Sequence, residues 1–193
     1  DEIEYGKVPS CAMKRLKKAF EKHDPERFAL WKTMLSKGEA KVNAKQLFPH
    51  ELVNDYTEFD QVVEAQWNVI AEETAKLGNF NRSLVVSDVS GSMEHPNWIP
   101  MNVSLSLGIL ISQLTDEPFR GHVITFSEEP TFVVLGNEGK SLVDRLNLLR
   151  KAPWGANTNL QAVFDLILTR ARKFNLTEDV MPTRIYIISD MQF

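Results

Sequence analysis

The stretch Asp88-Val89-Ser90-Gly91-Ser92 follows the apolar run "SLVV" and sets a carboxylate and two hydroxyls on alternate positions. Alternate residues of an extended chain share a direction, and Gly91 permits a tight turn between them, so the three groups can be aimed at one point. Thr158, in the loop "PWGANTNLQ", and Asp190, after "RIYIIS", add two more oxygen donors. The set Asp88, Ser90, Ser92, Thr158 and Asp190 contains neither histidine nor cysteine. Such a set suits a hard divalent cation, Mg²⁺ held octahedrally at ~2.1 Å or Mn²⁺, and disfavours zinc. If the two aspartates act through bound water while the hydroxyls bind directly, the ion keeps charge enough to take an outside carboxylate or phosphate as its last ligand. Each residue alone has a plainer reading, as a cap or an end-of-strand polar group; their value is joint. Asp88→Ala is expected to remove a rim residue, weaken metal binding and leave the core untouched.

These residues need a frame. Residues 82–193 read as short β-branched or aromatic runs ("SLVVS", "GHVITF", "TFVVL", "RIYIIS") alternating with amphipathic stretches of helical length. That grammar predicts an α/β domain, a mostly parallel open sheet with helices on both faces. Ligands of such sheets bind beyond the carboxyl ends of the strands, where "DVSGS" and "SD" fall. Residues 1–80 read as an all-helical module, joined through "GNFNR". "SCAMKRLKKAF" places Ala12, Met13, Leu16, Ala19 and Phe20 on one face, and Asp24-Pro25 predicts an N-cap with proline at the first helical position. Phe28, Trp31, Phe59 and Trp67 recur at helical intervals and are expected in the core.

The 193 residues are 43% hydrophobic with a formal net charge of -4, which suits a globular chain and argues against one that is basic throughout. Cys11 is the sole cysteine, so no intrachain disulfide forms and the composition fits a reducing compartment. No apolar run approaches the ~20 residues that span a bilayer, and "DEIEYGKVPS" lacks the regions of a signal peptide. The expectation is an intracellular protein of the cytoplasm or nucleus, away from membranes. Ending on "RIYIISDMQF", straight after an apolar run, the chain reads as part of a longer protein.

Rival chemistries fit less well. A nucleophile elbow needs glycines where Asp88 and Ser92 stand, and "GNEGKS" has the wrong glycine spacing for a phosphate loop, so it reads as a loop before a helix. His23, His50, His95 and His122 are scattered without ligand spacing, although His95 and Trp98 follow the metal loop closely. Lys14, Arg15, Lys17 and Lys18 make one helical face basic, a candidate contact for nucleic-acid phosphates or simply a solvated face.

"DVSGSM", the later "GANTNL" and "IISDMQF" together resemble the metal-ion-dependent adhesion site of von Willebrand factor A domains. The resemblance covers residues 82–193 and implies a Rossmann-like fold in which Asp88, Ser90, Ser92, Thr158 and Asp190 hold the ion. That family's domain continues for two further strands and their helices after the final aspartate, so on this comparison the sheet is incomplete at its C-terminal side. "KVPSCAMKRLKKAFEKHDPERF" and "LFPHELV" are similar to the helical part joined to such a domain in an uncharacterised plant, fungal and viral family. More distantly, the arrangement resembles Ro-type RNA-binding proteins, which carry such a domain on a ring of helical repeats. The function implied is a non-catalytic module that captures an acidic group of a protein partner through Mg²⁺ or Mn²⁺. The rival from another class is RNA binding by the helical module, and a Mg²⁺-dependent phosphoryl-transfer enzyme stands third.

Overall fold

The computed structural model describes residues 3–136, 139–153 and 158–191. Helices α1 (Ser10–His23), α2 (Pro25–Ser36), α3 (Pro49–Val53) and α4 (Gln61–Leu77) precede strand β1 (Ser83–Asp88). Helix α5 (Ile99–Leu114), strands β2 (His122–Phe126) and β3 (Phe132–Val134), helices α6 (Leu142–Arg150) and α7 (Leu160–Lys173) and strand β4 (Arg184–Ile188) follow. The strands form one sheet in the order β3-β2-β1-β4. β1 lies parallel to both β2 and β4, whereas β3 pairs antiparallel with β2. The segment between Phe126 and Phe132 is too short for a crossover, so β3 returns as a hairpin. The expected α/β class and mostly parallel sheet are both present.

Both faces of the sheet are covered. Along β1, Val85 joins a core with Leu105 and Ile109 of α5 and Leu146 of α6, while Leu84 and Val86 join another with Val163 and Ile167 of α7. α5 can lie close to the strand because Gly108 sits over Ser87, which is fully buried and donates its hydroxyl to Ser104 O at 3.2 Å. A Cβ at position 108 would run into that hydroxyl. Gly108→Ala is therefore expected to lower stability by about 1–3 kcal/mol, the range for overpacking a core. Adding Ser87→Ala should recover part of the loss in a denaturant titration.

The helical segment has its own small core, in which Met13, Phe28, Trp31 and Val62 meet Tyr5. It is also fused to the α/β layer. Leu52, Val53, Val63 and Trp67 belong to the same buried cluster as Leu105 and Leu146. Polar contacts repeat the connection: Trp67 Nε1 donates to Gln113 Oε1 at 2.9 Å, and Arg150 donates to the carbonyls of Tyr56 and Val53. Glu64 of α4 accepts the backbone N–H of Leu142 at 2.9 Å, so a carboxylate of the helical segment caps α6 in the α/β segment. Tyr56 donates to the same carboxylate at 2.7 Å, and its phenol is held above the ordinary value, first of all by burial. Near residue 80 the secondary structure changes kind, while one of the buried clusters runs across that boundary.

Three local expectations differ from the structure. Phe59 is 61% exposed, because it lies in the loop before α4 and outside helical periodicity. Leu16 is also exposed, and of its face Met13 alone is fully buried. Asp24 occupies the N-cap position of α2 with Pro25 beside it, yet its side chain does not cap. Its carboxylate instead accepts the Tyr5 hydroxyl at 2.6 Å and pairs with Arg27. Among the described residues no helix is long and apolar enough to cross a membrane.

Candidate metal centre

β1 is buried along its whole length and ends on Asp88, which is 0% exposed. One carboxylate oxygen accepts the backbone N–H of Ser90 at 2.8 Å and the other accepts the hydroxyl of Ser189. An ionised group at such depth is costly unless its lone pairs are met by donors or a cation. Position 88 therefore belongs to the interior, not to a rim, and the expectation that Asp88→Ala leaves the core untouched is corrected. Removing the carboxylate strands the buried Ser90 N–H and the half-buried Ser189 hydroxyl.

Beyond Asp88 the chain enters a 3₁₀ turn, Gly91–Glu94, which brings two hydroxyls together. Ser90 Oγ and Ser92 Oγ are 3.1 Å apart, and Ser92 Oγ donates to Asp190 Oδ1, also at 3.1 Å. Ser90 is buried, whereas Ser92 and Asp190 are exposed. The cluster thus has a closed side and a side open to solvent. Asp190 arrives because β4 pairs with β1 in parallel, placing the residues after Ile188 alongside those after Ser87.

Four of the five expected donors, Asp88, Ser90, Ser92 and Asp190, are joined by this chain of contacts, with Ser189 between Asp190 and Asp88. Thr158 is brought to the neighbouring residue instead: its hydroxyl donates to Met191 Sδ at 2.7 Å. The four residues before Thr158 in "PWGANTNLQ", Trp154 to Asn157, lie outside the described residues. Ser189, which spacing did not single out, directly precedes Asp190 in the same loop; its hydroxyl donates to Asp88 and its oxygen accepts the Met191 N–H at 3.0 Å.

Two ligands ~2.1 Å from a common centre at right angles lie ~3.0 Å apart; the Ser90 and Ser92 hydroxyl oxygens, 3.1 Å apart, have that spacing and are hydrogen-bonded to each other here. Among the described residues no three His, Cys, Asp or Glu side chains gather in a metal-holding group, so a cation here depends on serine hydroxyls as much as on carboxylates. The basic face of α1 is partly spent inside the molecule. Lys14 donates to Glu51 O and Lys17 pairs with the Asp60 carboxylate, while Arg15 and Lys18 remain exposed. In "GNEGKS", of which Asn137 and Glu138 lie outside the described residues, Ser141 caps α6 by accepting the Asp144 N–H. Its role is that of a loop before a helix.

Residues 82–193 match the family described as a domain of unknown function, DUF7788. Residues 1–80 match another such description, DUF2828. The chain is similar to "Uncharacterized protein L728" of Acanthamoeba polyphaga mimivirus, 38% identical over 209 residues that cover all of this chain and 36% of that protein. The chain therefore spans about a third of the length of the curated relative it matches. No solved structure matches.

Proposed function

This chain belongs to the DUF7788 family, and from that footing we propose that residues 82–193 are a von Willebrand factor A-like domain that holds Mg²⁺ or Mn²⁺ and captures an acidic group of a protein partner. The observation that carries the reading is the convergence of Asp88, Ser90, Ser92 and Asp190 at the adjacent ends of β1 and β4, with the Ser90 and Ser92 hydroxyl oxygens 3.1 Å apart, a spacing that two neighbouring ligands of one ion can share. Ser90 and Ser92 would bind the ion directly, exchanging their mutual hydrogen bond for it. Asp88 has one hydrogen bond on each oxygen, which leaves lone pairs to hold a water of the ion's shell. Asp190 stands at the open side beside Ser92, and Thr158 would turn from Met191 toward the ion. Neutral hydroxyls as direct ligands preserve the ion's attraction for an incoming carboxylate. The function is recognition without turnover, in an intracellular setting.

RNA binding through α1 draws less support, because Lys14 and Lys17 already have partners within the chain. Phosphoryl transfer draws less again, since the donor set offers no histidine or third carboxylate to move a proton. The test is retention of fluorescent polyglutamate by the immobilised chain. A protein of net charge -4 has no general attraction for a polyanion, so binding should require Mg²⁺, be released by EDTA, return with Mn²⁺ and be lost in Ser92→Ala. Retention that ignores EDTA contradicts the proposal.

A further inference from the structure

Two cavities of about 580 Å³ and 330 Å³ lie between the end of α3 and the start of α5, and both are walled by Asn54, Asn97 and Asn102. The two adjoin at these three residues, and the pair is called the groove. Asn97 and Trp98 sit on the same loop as Ser92, so the groove opens from the loop that carries two of the candidate ion ligands.

Its wall is built of side-chain amides. Asn102 Nδ2 donates to Asn54 Oδ1 at 3.1 Å, and Asn54 Nδ2 donates to Asp55 Oδ2 at 2.7 Å. An amide has two N–H donors and two acceptor lone pairs, so these bonds leave donor and acceptor capacity on both residues. Asn97 is exposed. A side-chain amide presents the same donor and acceptor as a peptide bond and pairs with an extended backbone whatever its side chains.

Charge selects between a peptide and a nucleic acid. The cations of the groove, Arg150 and Lys14, donate to backbone carbonyls, and the carboxylates Asp55 and Glu51 line the same walls. A polyphosphate would gain little there, whereas a neutral backbone meets no penalty. The rim is apolar: Trp98 and Ile99 are each 47% exposed, and Phe48, 67% exposed, stacks on His50. Exposed aromatic rings beside polar walls are the anchors expected of a binding surface. Asn97 and Trp98 also hold φ of 55° and 61°, a left-handed backbone that is rare for a ring as large as tryptophan. Such conformations gather where function requires a fixed presentation.

We propose that this groove holds an extended peptide segment of the partner, paired through its backbone to the exposed amides of Asn54 and Asn97, with Asn102 buried behind Asn54 and with its acidic side chain reaching the ion at Ser90 and Ser92. The inference rests on the metal-capture reading for its second half alone. The experiment is selection of displayed random dodecapeptides on the full chain in Mg²⁺, followed by affinity measurement of the enriched peptides. They should carry Asp or Glu, and Asn97→Ala and Trp98→Ala should each weaken them about tenfold with Mn²⁺ affinity and melting temperature unchanged. Peptides that ignore both substitutions, no enriched peptide, or displacement of the peptides by oligouridine would overturn the groove while leaving the metal centre standing. Peptides that depend on Asn97 and Trp98 in a chain that takes up no Mn²⁺ would support the groove and overturn the metal reading.

Discussion

Asp88→Asn is expected to weaken Mn²⁺ binding by about 10–100-fold, the loss typical when a group that orients a metal's ligands is removed, with the fold retained. The amide keeps an oxygen to accept the Ser90 N–H, and its nitrogen can donate to the Ser189 oxygen, reversing the present bond. What disappears is the negative charge. Asp88→Ala should lose the metal equally and in addition lower stability by about 1–3 kcal/mol, because the buried Ser90 N–H and the half-buried Ser189 hydroxyl lose their acceptor. Calorimetric titration with Mn²⁺ and thermal denaturation in EDTA separate the two effects. An Asp88→Asn protein that titrates like the parent chain contradicts the assignment.

Trp67→Ala should be the most damaging single change, at about 3–5 kcal/mol. The ring is 1% exposed, lies in the cluster shared by the helical and α/β segments, and donates to Gln113 across the junction. Because Val62 serves the helical core while Val63 and Trp67 serve the shared one, α4 cannot loosen on one side only. Residues of both segments should therefore unfold in one transition, displaced to lower denaturant in the variant. Two transitions, with the α/β one unmoved by Trp67→Ala, would show that the segments are independent.

The α/β layer was legible because apolar runs of strand length alternate with helical periods, and that pattern survives without knowledge of contacts. Asp88, Ser90, Ser92 and Asp190 were legible for a related reason: parallel strands deliver their carboxyl ends to one edge, so loops after β1 and β4 must meet. The depth of Asp88 was not, since burial at a strand end depends on what covers it, here the loop bearing Ser189. Nor was the fate of the lysines on α1, whose partners Glu51 and Asp60 lie far along the chain. Phe59 misled because its spacing continues a helical rhythm that the loop before α4 interrupts. The asparagine groove was not legible, because only the packing of α3 on α5 brings Asn54 to the stretch that holds Asn97 and Asn102.

The most direct test is a crystal of the full chain grown with Mn²⁺, measured for anomalous scattering. A single strong peak ~2.1 Å from the Ser90 and Ser92 hydroxyl oxygens, with those hydroxyls no longer bonded to each other, is the predicted result. Saturating Mn²⁺ with no peak there and the Ser90–Ser92–Asp190 contacts intact would contradict the account.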